Sequence, residues 1–152
     1  MIASSICSLE ADFAIKTTPA EFRRASLWLA KQADIFDIPD DQLYRLDSCL
    51  NEILANAMEH GGQDALEYPI SLHFASYRES ADGKSKATLT IITAGAKFDP
   101  FAVELAPRPT TLDDTQPGGL GLRMLRRFSD TQTYHYQAGR NQISCTVHWL
   151  ER

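Results

Sequence analysis

The chain predicts an α+β fold: a two-layer sandwich in which a mostly antiparallel sheet is covered on one face by three helices. Three observations carry that expectation. Two long stretches in the first sixty residues repeat apolar side chains at helical spacing. Five shorter runs are rich in β-branched and aromatic residues, and the later four fall into two pairs joined by turn-like sequences. The resulting order is strand, two helices, two strands, an irregular stretch, a helix and two strands.

Each element has its own signals. Leu9 to Lys16 is short, partly alternating and carries Phe13 and Ile15, which suits a strand. Thr18-Pro19-Ala20-Glu21 reads as a helix start, with Thr18 as N-cap, Pro19 at the first helical position and Glu21 as the carboxylate of a capping box. Phe22, Ala25, Trp28 and Leu29 give this helix its core face, and it ends before Asp37. Ile38-Pro39-Asp40-Asp41 opens a second helix, two acids favouring its N-terminal dipole, and Gly61-Gly62 is expected to cap its far end. Its buried stripe is Leu43, Leu46, Leu50, Ile53, Leu54, Ala57 and Met58.

Tyr68 to Arg78 and Ala87 to Thr93 read as strands around an exposed turn at Glu79-Ser80-Ala81-Asp82-Gly83-Lys84. Residues 94–117 lose all periodicity and hold four prolines, which points to a lid, a binding loop or disorder. Gly118-Gly119-Leu120-Gly121-Leu122 closes that stretch and opens a short helix marked by Leu122, Leu125 and Phe128. Thr131 to Gln137 and Gln142 to Trp149 are the closing strands, joined at Ala138-Gly139-Arg140-Asn141.

Composition narrows the function classes. At 152 residues, 43% hydrophobic and 23% charged, the chain reads as one globular domain spanning 1–152. A net charge of −5 argues against a nucleic-acid binder that works by neutralising phosphates. Cys7, Cys49 and Cys145 lack metal-ligand spacing and suit reduced thiols. No apolar run reaches the roughly 18–20 residues of a membrane span, and the first residues do not read as a signal peptide, so a soluble cytoplasmic protein is expected.

Three constellations can carry chemistry. Glu52, Asn56 and His60 stand four residues apart in turn on the second helix, in one row about 120° round from its apolar stripe at roughly 100° per residue. Asn56 can offer an amide oxygen to Mg²⁺ and Glu52 can act as a general base, although a solvated helix face explains the row alone as well. The glycines before the last helix expose backbone N–H groups and a dipole end suited to an anion, or else form a flexible connector. Thr93-Ala94-Gly95 ends a strand on a glycine, which permits a close backbone approach to a ligand or simply a turn. Neither a Walker-type phosphate loop nor a G-x-G-x-x-G dinucleotide fingerprint is present. His73, His135 and His148 share no spacing and suit structural or surface roles.

Taken together, a Glu-x-x-x-Asn-x-x-x-His helix, a strand-ending glycine followed by Phe98-Asp99-Pro100, an irregular loop and the Gly-Gly-Leu-Gly-Leu helix start resemble the ATP-binding domain shared by gyrase, heat-shock ATPases, histidine kinases and mismatch-repair ATPases. Within that group, also called the GHKL or Bergerat-fold ATPases, the sequence is most similar to the bacterial anti-sigma-factor serine/threonine kinases. The resemblance covers nearly the whole chain. It implies ATP and Mg²⁺ as cofactors, Asn56 as the Mg²⁺ ligand, Glu52 as the base that activates a serine hydroxyl, and Gly118, Gly119, Gly121 and Leu122 around the phosphates. It further implies that Thr93 and Gly95 lie at the adenine.

By the same resemblance the substrate is a serine on a small STAS-type anti-sigma-factor antagonist. The second partner is a sigma factor or another response regulator held inactive. Homodimers are a habit of that family, and neither nucleic acid nor membrane is among the implied partners. Two positions depart from the family's pattern: Thr93 stands where an aspartate contacts the adenine amino group, and Lys97 replaces the second glycine of the turn. These departures keep a second expectation open, a binding module of the same fold that acts by protein contacts with little nucleotide affinity.

Overall fold

The computed structural model describes residues 6–79, 81–100 and 126–151. Element order is β1 (Ile6–Ile15), α1 (Pro19–Ile35), α2 (Asp40–His60), α3 (Gly62–Glu67), β2 (Ile70–Glu79), β3 (Lys84–Ala94), β4 (Thr131–Gln137) and β5 (Arg140–Leu150). The strands form one sheet in the order β1-β2-β3-β5-β4, and every described pairing is antiparallel. This is the expected α+β architecture.

Alternation decides which face of the sheet is buried. Leu72 and Phe74 of β2, Leu89 and Ile91 of β3, and Ile143, Cys145 and Val147 of β5 turn inward to meet Ala25 and Leu29 of α1 and Leu46, Leu50, Ile53 and Leu54 of α2. The opposite parity leaves His73, Thr88, Thr90, Ser144 and Thr146 on the open face, where Thr88 pairs with Thr146 (2.7 Å) and Thr90 with Ser144 (2.8 Å) through their hydroxyls. Cys49 and Cys145 are buried free thiols.

Local signals account for the element ends. Thr18 is extended and its hydroxyl accepts from Glu21 N at 3.3 Å, as an N-cap should. The Glu21 carboxylate accepts from Lys16 N rather than from Thr18, so the capping box closes one step further back. Ala138 and Gly139 both have positive φ, 53° and 74°, the signature of the two-residue type I′ hairpin that joins β4 to β5.

The expected cap is present: α2 ends at His60 with Gly61 as its C-cap, and Gly62 at φ 68° redirects the chain straight into α3, a short helix that was not expected. A side chain at Gly61 would strike Ala65 Cβ at 2.3 Å and Ala57 O at 2.4 Å, so the glycine there serves helix–helix contact as well as a turn. One expectation needs correction: Met58 is 40% exposed and lies outside the buried stripe. Of the expected helix over 122–128, residues 126–128 are described and helical.

Arg45 of α2 holds the start of the last hairpin. Its guanidinium grips Asp130 with two nitrogens, at 2.9 and 3.2 Å, while Asp130 also accepts from His148 N at 2.7 Å. The Arg45 charge and the backbone donor keep the Asp130 carboxyl below the usual aspartate value.

Candidate functional site

A small pocket, open on one side, lies where the C-terminal half of α2 meets the end of β3 and the turn that follows it. Ile53, Asn56, Ala57, His60 and Gly61 form one wall; Thr93, Ala94, Ala96, Phe98 and Pro100 form the other; Asn141 and Ile143 of β5 close the back. The helix and strand meet closely because Gly95 (φ 142°) sits against the backbone of Gly61. A Cβ on Gly95 would lie 2.7 Å from Gly61 O.

The helix row expected to carry chemistry is not a wet face. Asn56 is 6% exposed, lines the pocket, and its Nδ2 has no hydrogen-bond partner among the described residues. That N–H₂ donor, unmet among the described residues, costs roughly 1–3 kcal/mol unless an acceptor reaches it. Glu52, one turn back, is half-buried beside the pocket rather than among its lining residues. Its carboxyl is shifted upward, first by burial and then by the Glu59 charge, with the Asn56 amide pulling weakly the other way from a position unsuited to a hydrogen bond.

His60 closes the row at the pocket mouth. Its ring stacks on Phe98 with centroids 5.1 Å apart and planes 19° from parallel. Thr93 is 7% exposed and lines the pocket. Lys97 is exposed and does not line the pocket. The pocket therefore brings Asn56, His60 and Thr93 together. Gly95 supports it from behind, and Gly118, Gly119, Gly121 and Leu122 lie outside the described residues.

Sequence reasoning did not find the residues that shape the turn. Asn141 Oδ1 accepts from Phe98 N at 2.9 Å and from the Tyr134 hydroxyl, while its Nδ2 donates to Ala96 O at 3.0 Å. Tyr136 donates to Gly95 O at 3.1 Å, and Gly95 N donates to Gly139 O at 3.1 Å. The closing hairpin thus grips residues 95–98 through four hydrogen bonds, and the Tyr134 hydroxyl steadies Asn141. The only available signal was an asparagine just after a hairpin turn, which reads as turn chemistry.

The donor set bears on what can bind. Among the described residues no group of three or more His, Cys, Asp or Glu could hold a metal by itself. A lone amide suits a hard cation that takes few protein ligands and completes its shell with water and phosphate oxygens, which is the habit of Mg²⁺. The apolar walls around Thr93 suit a planar ring.

A family model for the histidine kinase-like ATPase domain matches residues 15–147. The chain belongs to that family. It is similar to the serine/threonine-protein kinase BtrW of Bordetella bronchiseptica, with 31% identity over 105 residues, 69% of this chain and 70% of that one. Among solved structures it is similar to a chain of the SiaB–SiaC complex from Pseudomonas aeruginosa, with a TM-score of 0.45, 15% identity, and coverage of 91% of this chain and 89% of that chain. The resemblance drawn from the helix and lid-end motifs is thereby borne out at the level of the family. Among the described residues no helix is long and apolar enough to cross a membrane.

Proposed function

We propose that the chain is a cytoplasmic, single-domain Mg-ATP-dependent serine/threonine protein kinase that phosphorylates a small STAS-type antagonist and sequesters a sigma factor or similar regulator. The observation that carries this reading is the buried Asn56 amide lining the pocket, with a carboxyl of raised proton affinity one turn behind it. Family membership and the likeness to a serine/threonine kinase support the same reaction class.

In this reading Asn56 holds Mg²⁺, and the glycines Gly118, Gly119 and Gly121, with Leu122, surround the phosphates. Bound Mg²⁺ supplies charge neutralisation on the phosphate oxygens. The chain's own residues bind, orient and move one proton. Glu52 takes the proton from the attacking serine hydroxyl as that oxygen bonds to the γ-phosphorus and the bond to the departing ADP oxygen breaks. A carboxylate pushed up by burial and by Glu59 is a better proton acceptor than an ordinary surface glutamate. Asn141, Tyr134 and Tyr136 hold the 95–98 turn so that the pocket needs little rearrangement on binding.

The test separates binding from chemistry. Glu52→Ala is expected to keep nucleotide affinity within about threefold and to lower phosphoryl transfer to a STAS-type acceptor by at least the roughly 100-fold that loss of a general base brings. Transfer by Glu52→Ala at the wild-type rate removes Glu52 from the mechanism. Binding of ATP without transfer to any serine acceptor, in the wild type, favours the module that acts by protein contacts.

A further inference from the structure

Two buried thiols, Cys49 of α2 and Cys145 of β5, have no part in the proposed reaction, and each is 1% exposed. They meet where the helix layer rests on the sheet. Each is within hydrogen-bond reach of the other, and both are within reach of the buried Ser129 hydroxyl. Their surroundings differ. The contact with Cys145 comes first in holding the Cys49 thiol below the ordinary cysteine value, helped by Ser129 and the Arg45 charge and opposed by burial. The contact with Cys49, then burial, push the Cys145 thiol up. One sulfur thus carries thiolate character while its neighbour keeps its proton, the division between an attacking and a resolving cysteine.

The pair lies beneath the pocket. Ile53 follows Cys49 by one helical turn, Ile143 precedes Cys145 by two residues on the same face of β5, and both isoleucines line the pocket. A bond between the sulfurs brings them to about 2 Å and draws α2 toward β5, narrowing the slot between the two isoleucines. We propose that Cys49 and Cys145 form a redox switch: a hydroperoxide joins them in a reversible disulfide, and the disulfide weakens nucleotide binding in the pocket above. With hydrogen peroxide, the Cys49 thiolate attacks one oxygen and the O–O bond breaks. The hydroxide released takes up the proton that Cys49 had lost and leaves as water. The Cys145 sulfur then attacks the Cys49 sulfenic acid; the S–S bond forms as the S–O bond breaks, and that oxygen leaves as water with the Cys145 proton. Two thiols are oxidised and one peroxide is reduced. The thiols lie one turn inside the Arg45–Asp130 clasp, so an oxidant near the size of water reaches them when the start of the last hairpin opens locally. The effect on nucleotide rests on the binding reading above, whereas the disulfide does not.

Peptide mapping of the wild-type protein after treatment with hydrogen peroxide tests the bond. Cys49 is expected joined to Cys145, about 2 Da lighter than the two thiols, with both thiols restored by a reductant. Free thiols at both positions, sulfinic or sulfonic acid at either, or a link through Cys7 instead overturns the proposal. Calorimetric titration with Mg-ATP tests the switch. The disulfide form is expected to bind at least about fivefold more weakly than the reduced form, and a reductant to restore the affinity. Equal affinity in the disulfide form overturns the switch while leaving nucleotide binding intact. Absence of heat from the reduced form overturns the nucleotide reading and the switch with it, whatever the peptide map shows. Cys49→Ala is expected to bind Mg-ATP with the same affinity before and after peroxide; if that variant does not fold, the wild-type map and titration still decide the matter.

Discussion

Asn141 of β5 and Phe98 of the turn after β3 are joined by a hydrogen bond from Phe98 N to Asn141 Oδ1 at 2.9 Å, across 43 residues of sequence. The same amide holds Ala96 O and the Tyr134 hydroxyl, so one side chain fixes the outer wall of the pocket. Phe98 in turn carries the His60 ring at the mouth. Asn141→Ala would leave a buried N–H, a carbonyl and a hydroxyl without partners.

The expected cost of Asn141→Ala is about 2–4 kcal/mol, the sum of several unmade bonds softened by water entering the gap. For a chain of this length that corresponds to a fall in Tm of roughly 5–15 °C by calorimetry. Nucleotide affinity should fall further than Tm alone explains, because the freed turn no longer presents Phe98. Unchanged affinity in a folded Asn141→Ala protein would show that the clamp serves only stability.

Gly95 offers a second prediction, directed at the meeting of β3 and α2. The glycine ends a strand, and the strand's close approach is to the Gly61 backbone of the same chain. A methyl group at Gly95 meets Gly61 O at 2.7 Å in a backbone conformation, φ 142°, that L side chains avoid. Gly95→Ala should therefore destabilise by more than about 2 kcal/mol, read as a shift in the urea midpoint with an unchanged slope. A shift below about 0.5 kcal/mol would show that the α2–β3 contact relaxes freely.

Much of this arrangement was legible in the sequence, and the rest was hidden for identifiable reasons. Strand β4 runs over Thr131–Gln137 as its alternation and the following Gly139 predict, because both signals are local. Thr18 caps α1 for the same reason. The Gly61-Gly62 pair marked the end of α2, but not α3 behind it nor the contact with Ala65 that leaves no room for a side chain at 61. Asn56 looked as much like surface as site, since its burial comes from β3 and β5 strands that follow it by dozens of residues. Asn141 signalled nothing beyond turn chemistry. Its role depends on pairing opposite Thr93, 48 residues away, a tertiary fact that no local pattern encodes.

Glu52 links stability to pH in a direction that can be checked. Its folded-state pKa lies above the ordinary glutamate value of 4.5, chiefly through burial, so the folded protein binds that proton more tightly than the unfolded chain. Stability from this group is therefore complete below 4.5 and is lost as pH rises through the higher folded value, leaving a cost at neutral pH. Glu52→Gln, which cannot ionise, should raise Tm at pH 7 and lose that advantage below pH 4.5. The same Tm gain at both pH values would exclude the linkage.

Asn56, buried against the pocket, is proposed to hold Mg²⁺ through its amide oxygen against a bound nucleotide. Isothermal titration of wild-type protein and Asn56→Ala with ATP, each with Mg²⁺ and with EDTA, measures this directly. The account predicts saturable binding by the wild type at sub-millimolar ATP, dependent on Mg²⁺, and loss of at least about 30-fold in affinity for Asn56→Ala, about 2 kcal/mol. No heat with wild-type protein and Mg-ATP, or equal affinity in Asn56→Ala, would contradict it.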